Sequence, residues 1–218
     1  MGPMSPAEMG EIMAMDDAAH FGKIEFDRIE WRGDSDFGWE ANAWIGGDDN
    51  KLLFKSEGDR DDDASHSRSE LLWDRVIAAW WNLQAGVRID SGEGPSRTWA
   101  AFGVEGLAPY WIDFEVTAYV GDESRTALRF EASHDIRLTQ RLIFQPQIEG
   151  TLYGKNDVAR GLGSGLSDVE AGLRLRYEIR REIAPYIGVR WKQLFGETAD
   201  LADDDSEAQF VAGVKIWF

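Results

Sequence analysis

The feature that most constrains the fold is a strict alternation of apolar and polar side chains with a period of two residues. Between Asp168 and Arg180 every odd-numbered residue is apolar, and every even-numbered residue except Gly172 is charged. The segments Trp81–Asp90 and Ile112–Val120 alternate similarly. Because successive side chains of a β-strand point to opposite faces, this pattern predicts strands with one apolar and one polar face.

About twelve segments of this kind follow one another along the chain. They are predicted at 23–32, 37–46, 50–57, 67–77, 80–90, 96–106, 110–120, 124–134, 138–153, 167–180, 185–195 and 207–218. Most are close to the roughly 9–11 residues of a tilted membrane-spanning strand, and some are longer. We therefore expect an all-β domain at 23–218, preceded by a short tail at 1–22.

The composition excludes several other classes of protein. The longest apolar run, Val76–Trp81, is far shorter than the ~18 residues of a membrane-spanning helix. With 40 acidic and 23 basic side chains the formal net charge is −17, which argues against a nucleic-acid partner. The absence of Cys excludes disulfides, thiolate zinc sites and Cys nucleophiles.

The connections between the segments provide an independent test of the fold. If the N-terminus lies on the periplasmic side, the long acidic or Gly-rich insertions all fall in the odd-numbered connections: Gly33–Asp36, Gly58–His66, Ser91–Pro95, Gly121–Glu123, Gly154–Ser167 and Gly196–Ser206. Outer-membrane barrels have short periplasmic turns and longer outer loops. The sequence therefore predicts one antiparallel transmembrane β-barrel of about 12 strands in the outer membrane. A closed barrel has no free edge, so we expect a monomer.

Aromatic residues are expected at both membrane interfaces of such a barrel, where they form girdles. The residues near predicted strand ends are Trp31, Trp39, Trp44, Trp80, Trp81, Trp111, Trp217, Tyr110, Tyr119, Tyr153, Tyr186 and Phe218. The alternative is that aromatic residues simply favour strands.

If the apolar face meets lipid, the polar face lines the lumen. The charged residues expected there are Glu40, Lys51, Lys55, Glu57, Asp74, Arg88, Asp90, Asp113, Glu115, Arg129, Glu131, Arg141, Glu149, Glu170, Arg174, Arg176, Glu178, Arg190, Lys192 and Lys215. Charges of both signs at this density favour a lumen sealed by ion pairs, because buried charges require partners. A narrow polar pore is the alternative.

Several stretches of the sequence resemble the copper resistance protein B family of Gram-negative bacteria. They are FDRIEWR at 26–32, GWEANAWIGGDDNKLLFKSEG at 38–58, WNLQAGVRID at 81–90, GVEGLAPYWIDFEVTAYV at 103–120, LTQRLIFQPQIE at 138–149, GSGLSDVEAGLRLRYEIRREIAPYIGVRWKQLFGETADLA at 163–202 and VAGVKIWF at 211–218. The resemblance implies an outer-membrane protein of a copper-resistance system that works with a periplasmic multicopper oxidase. It supplies no catalytic residue. Members usually carry an N-terminal segment rich in Met and His.

With that resemblance, the tail becomes the candidate copper site. Its candidate ligands are Met4, Met9, Met13, Met15 and His20. Thioether sulfur suits Cu(I), and imidazole accepts either oxidation state of copper, so Cu(I) is favoured. The alternative is that these Met residues lie on a short amphipathic helix without binding metal. The tail lacks the pattern of an intact signal peptide, which we expect to have been removed.

Catalysis is not expected. The chain has three His, and Ser133 and His134 are neighbours on one strand, so their side chains point to opposite faces. His66 and His134 are expected at opposite ends of the barrel. The expected function is therefore copper binding that helps to sequester or export the metal from the periplasm. A passive small-solute or ion channel and a sealed outer-membrane anchor are the alternatives.

Overall fold

The fold is a closed antiparallel β-barrel. The computed structural model describes residues 20–33, 36–60, 65–202 and 204–218. Its twelve barrel strands are β1 (Phe21–Arg32), β2 (Asp36–Gly46), β3 (Asn50–Arg60), β4 (Ser65–Ala78), β5 (Trp81–Gly92), β6 (Arg97–Ala108), β7 (Ile112–Gly121), β8 (Thr126–His134), β9 (Leu142–Tyr153), β10 (Gly165–Tyr177), β11 (Ile183–Leu194) and β12 (Ser206–Trp217). Each strand pairs with the next, and β12 pairs with β1, which closes the barrel. The predicted twelve-stranded barrel is confirmed.

The barrel has two rims that differ in their connections. The terminal rim holds the start of β1, the end of β12 and the connections 47–49, 79–80, 109–111, 135–141 and 178–182. The opposite rim, which we call the loop rim, holds the two longest connections, 154–164 and 195–205. The second of these contains the helix α1 (Gly196–Asp200). Long connections on one rim are typical of outer-membrane barrels, in which that rim faces outward and the terminal rim faces the periplasm.

Two predicted connections differ in the structure. Within the predicted connection Gly58–His66, Gly58–Arg60 and Ser65–His66 are strand, because backbone pairing between β3 and β4 continues as far as Arg60 opposite Ser65. Such pairing does not require apolar side chains, so the hydrophilic sequence concealed it. In contrast, β9 begins four residues later than predicted, because the Thr139 hydroxyl accepts the backbone N–H groups of Arg141 and Leu142 and forms a turn.

A bulge in β1 changes which of its residues face the lumen. The register of β1 shifts next to Asp27 against both of its neighbouring strands. A bulge inserts one extra residue and so reverses the alternation beyond it. As a result, the consecutive residues Asp27 and Arg28 both line the lumen. Beyond the bulge, the inward positions are occupied by Glu30 and Arg32, which are buried.

The barrel is apolar outside and polar inside. Large apolar side chains on its outer surface are exposed, among them Leu71, Val87 and Phe102, as expected for a lipid-facing surface. The interior holds buried charged residues, together with one small apolar cluster around Trp99 and Tyr119. No helix in the part of the chain that the structure describes is long and apolar enough to cross a bilayer.

The predicted aromatic girdle is confirmed in part. Trp31 at the loop rim and Trp80, Trp111 and Tyr110 at the terminal rim are all exposed, and the rings of Trp80 and Trp111 pack edge to face at 5.5 Å. Other predicted members face inward, because their positions fall on the polar side of the alternation. Trp44 lines the lumen, and Tyr119 and Tyr186 are buried there with their hydroxyl groups on carboxylates.

Candidate functional site

The lumen is the candidate functional region, and its most buried element is an ion-pair cluster around Glu30. The Glu30 carboxylate accepts hydrogen bonds from Arg174 at 2.9 Å, from Arg32 at 2.7 Å and from the Tyr186 hydroxyl at 3.1 Å. Arg32 also pairs with Asp59 of β3. Strands β1, β3, β10 and β11 are thereby linked across the lumen. Glu30 was not predicted to line the lumen, because the bulge places it out of phase with the first half of β1.

A second cluster lies between β4 and β7. Arg88 forms two hydrogen bonds to Asp90, at 2.7 and 3.0 Å, and Asp90 also accepts the Trp99 indole N–H at 2.8 Å. The guanidinium of Arg88 lies 4.4 Å from the centre of the Tyr119 ring. The Tyr119 hydroxyl donates to Glu70 at 2.8 Å. These contacts fill the part of the lumen nearer the loop rim.

The middle of the lumen is crossed by Arg129 of β8. Its guanidinium lies 3.1 Å from Glu57, 3.3 Å from Glu131 and 2.9 Å from Glu149. Arg68 pairs with Glu57 from the next strand. Because β3 lies on the other side of the barrel from β9, Arg129 joins opposite walls. A lumen crossed by ion pairs in this way is expected to be closed, so that solutes cannot pass through it.

Nearer the terminal rim the lumen opens into a cavity of about 520 Å³. Its deep end is formed by Arg68 and Arg129, and its shallow end by Trp80, Asp113 and Asp135. On one wall, Lys55 contacts Glu115 at 2.6 Å and Glu105 at 3.1 Å. We call this space the vestibule. The vestibule is open at the terminal rim and ends at the ion pairs that Arg129 forms in the middle of the lumen.

Most of the predicted lumen charges belong to these clusters or line the vestibule. Two of the others lie outside the strands altogether. Arg141 and Glu178 lie in the connections of the terminal rim, because β9 begins at Leu142 and β10 ends at Tyr177. Arg28, Arg32 and Arg68 also line the lumen, although the sequence did not predict them there. The break in alternation at Asp27 is the sequence signal from which the inward positions of Arg28 and Arg32 could have been predicted.

Of the five predicted metal ligands, the structure describes one, His20. Met4, Met9, Met13 and Met15 lie outside the described residues, so their assignment remains a prediction. His20 is exposed and directly precedes β1 at the terminal rim. Among the residues that the structure describes, no group of three or more His, Cys, Asp or Glu is arranged to hold a metal ion.

The other two His residues lie at opposite rims, as predicted. His66 is the second residue of β4, at the loop rim. His134 is the last residue of β8, at the terminal rim, where its Nδ1 atom lies 2.9 Å from the carbonyl oxygen of Trp111. The barrel length separates them, so they cannot share an ion.

The loop rim has its own ion-pair cluster, centred on Asp157. Arg97 donates hydrogen bonds of 2.7 and 3.0 Å to the Asp157 carboxylate, and Arg125 lies 3.5 Å away. The hydrogen bonds from Arg97 hold the pKa of Asp157 below its usual value. The backbone of Asp157 also pairs with Leu162, so this carboxylate anchors the 154–164 connection to the barrel.

A closed twelve-stranded barrel with an apolar exterior, an exposed aromatic girdle and a charged lumen defines a protein of the bacterial outer membrane. Solved structures agree with this class. NanC porin has a TM-score of 0.59 at 13% identity, and KdgM porin has 0.52 at 11% identity. Each match covers 90% of this chain and 99% of the porin. At such low identity these likenesses concern the fold alone.

Comparison of the sequence with known families identifies the family to which this outer-membrane protein belongs. The model described as copper resistance protein B precursor matches residues 20–218. Copper resistance protein B of Escherichia coli is 46% identical over 213 residues, which cover 94% of this chain and 72% of that protein. A homolog from Pseudomonas syringae pv. tomato is 45% identical over 200 residues, covering 88% and 68%. The chain belongs to the copper resistance protein B family.

This membership assigns the chain a role in copper resistance. The family and the barrel fold together agree with a membrane protein that contacts lipid and takes part in copper resistance.

Proposed function

We propose that the segment preceding the barrel captures copper in the periplasm, and that the barrel holds this segment at the terminal rim and helps to sequester or export the metal. The proposed ligands are Met4, Met9, Met13, Met15 and His20. Their thioether groups select Cu(I) over Zn²⁺ and Mg²⁺, and the imidazole accepts either oxidation state of copper. The proposed partner is a periplasmic multicopper oxidase of the same resistance system.

The position of His20 is the observation that supports this proposal. His20 is exposed at the residue before β1, on the rim where the vestibule opens. A copper ion bound by this segment would therefore be held near the mouth of the vestibule. The mouth carries Asp113 and Asp135, whose carboxylates attract cations electrostatically without selecting among them.

A second candidate function is that of a sealed anchor without metal transport of its own. It is favoured by Arg129, which joins Glu57 on one wall of the lumen to Glu149 on another. A passive channel would instead require these ion pairs to open.

Deletion of residues 1–20 tests the proposal. This deletion removes all five proposed ligands and leaves β1, which begins at Phe21, intact. We expect the shortened protein to fold into a heat-modifiable barrel and to lose bound Cu(I) in equilibrium dialysis. Retention of full Cu(I) binding by the shortened barrel would contradict capture by this segment.

The matched control is Asp113→Asn with Asp135→Asn in the full chain. These substitutions remove carboxylates from the mouth of the vestibule and leave the five proposed ligands in place. We expect Cu(I) binding to be unchanged in the control, because carboxylates are hard ligands that contribute little to Cu(I) affinity.

A further inference from the structure

A basic cleft interrupts the acidic surface of this barrel at the terminal rim. It has a volume of about 650 Å³ and lies between the connections 135–141 and 178–182. Four arginines line it, Arg137, Arg141, Arg180 and Arg181, together with one carboxylate, Glu178. A net positive cleft is unexpected in a chain whose formal net charge is −17. We call this feature the arginine cleft.

The four guanidinium groups are available for binding. All four residues are exposed, and within the described ranges none of them forms an ion pair. This contrasts with the lumen, where Arg88, Arg129 and Arg174 each lie within about 3 Å of a carboxylate.

The backbone that carries the arginines is fixed. The turn before β9 is held by the Thr139 hydroxyl, which accepts the N–H of Leu142 at 2.9 Å. The backbone N–H of Glu178 donates to the carbonyl of Arg141 at 2.8 Å and so links the two connections. The carbonyl of Arg181 accepts the indole N–H of Trp217 at 2.7 Å. Fixed positions lower the entropic cost of binding an anion.

Exposed apolar side chains adjoin the cleft on the outer surface of the barrel. Leu138 is 56% exposed and Ile179 is 58% exposed, with Ile136 and Ile183 nearby in sequence. Trp111 and Tyr110 on the same rim mark the depth of the lipid headgroups. The arginines therefore lie at headgroup depth, with apolar surface directed toward the acyl chains.

We propose that the arginine cleft binds the phosphodiester headgroup of an anionic phospholipid, such as phosphatidylglycerol, in the periplasmic leaflet. Arginine forms paired hydrogen bonds with phosphate oxygens, and several cations on one surface favour an anionic over a zwitterionic lipid. The acyl chains pack against Leu138 and Ile179. Inorganic phosphate shares the headgroup chemistry but lacks this apolar contact, so it binds far more weakly.

The test counts lipids that remain bound to the full chain folded in neutral detergent, by native mass spectrometry. Phosphatidylglycerol, phosphatidylcholine and inorganic phosphate are titrated separately. We expect one phosphatidylglycerol to be retained with at least tenfold preference over phosphatidylcholine, and no retained phosphate. Equal retention of the two lipids, or phosphate binding as tight as that of the lipid, would overturn the proposal.

Two variants locate the site. In the first, Arg137, Arg141, Arg180 and Arg181 are all replaced by Gln, and we expect the preference to disappear. In the second, Arg60, Arg75, Lys155 and Arg160 are replaced by Gln, which removes the same charge away from the cleft and should leave the preference intact. The same loss in both variants would show a nonspecific charge effect and refute the site.

The salt dependence of lipid retention by the unaltered protein tests the proposal even if the cleft variant fails to fold. Raising the salt concentration to about 1 M shortens the Debye length to about 3 Å and screens exposed charges. Phosphatidylglycerol retention by the unaltered protein should then fall about tenfold or more, toward that of phosphatidylcholine. Retention that does not change with salt would contradict binding by exposed arginines.

Discussion

Glu30 and Arg174 are 144 residues apart in sequence, yet the Arg174 Nε atom donates to the Glu30 carboxylate at 2.9 Å inside the barrel. Both side chains are almost completely buried, with 0% and 2% of their surface exposed. Arg32 and Tyr186 bond to the same carboxylate. The pair therefore couples the first strand to the tenth and helps to close the lumen.

Replacing Glu30 with Gln should destabilise the barrel by about 3–5 kcal/mol. After the substitution Arg32 keeps its pair with Asp59, but Arg174 is left as a buried cation with no carboxylate partner among the described residues, and an uncompensated buried charge is costly. Urea unfolding of the detergent-folded protein measures the change. Glu123→Gln is the control, because Glu123 is mostly exposed and pairs only at the loop rim, so no measurable loss is expected. Equal losses in the two variants would contradict the role of Glu30.

Gly213→Ala should disturb the same cluster by steric clash, without changing its charge. Gly213 is opposite Glu30, and a Cβ atom there would lie 2.6 Å from the Tyr186 hydroxyl and 2.5 Å from the Ile29 carbonyl. The second contact is with backbone, so the strand must move, at a cost of about 1–3 kcal/mol. The expected readout is a lower urea midpoint. Combining this change with Tyr186→Phe should not restore stability, because the backbone clash remains.

The unaltered barrel should show little steady ion conductance in planar bilayers. Arg129 and its three carboxylate partners close the middle of the lumen. Arg129→Ala removes this bridge and leaves the carboxylates, so a larger, cation-selective conductance is expected. Arg129→Lys keeps a cation in place and should remain nearly closed. Open-porin conductance in the unaltered protein would contradict a sealed lumen.

Acid should loosen the loop rim through Asp157. Its pKa is lowered in the folded protein, chiefly by the hydrogen bonds from Arg97. A carboxyl with a lowered folded pKa contributes stability that is fully present above its unfolded pKa of about 3.9 and is lost as pH falls through the folded pKa. The protection factors of the amide hydrogens in the 154–164 connection should therefore decrease at pH values below about 4. In Asp157→Asn this pH dependence should be absent.

The strands themselves could be predicted from sequence, because a lipid-facing surface imposes a period of two. Strand β11, predicted at 185–195, runs from Ile183 to Leu194. The alternation failed where backbone geometry departs from regular pairing. The bulge beside Asp27 reverses the inward face of β1, so Glu30 and its partners were missed. The turn at Thr139 depends on a side-chain hydrogen bond that periodicity does not report.

The residues of the candidate site divide in a similar way. The charges on regular strands, such as Arg129 and Arg174, were predicted to line the lumen and do so. Their partners depend on which strands face each other across the barrel, and this follows from closure rather than from local pattern. The assignment of Met4, Met9, Met13 and Met15 rests on ligand chemistry and remains a prediction.

The most direct test of the central claim is a Cu(I) titration of the full detergent-folded protein against a competing chelator. It is run in parallel on a variant in which Met4, Met9, Met13 and Met15 are replaced by Leu, which keeps apolar volume and removes sulfur. We predict that the unaltered protein competes for Cu(I) and that the variant loses at least tenfold in affinity. Unchanged affinity in the variant would contradict copper capture by the segment that precedes the barrel.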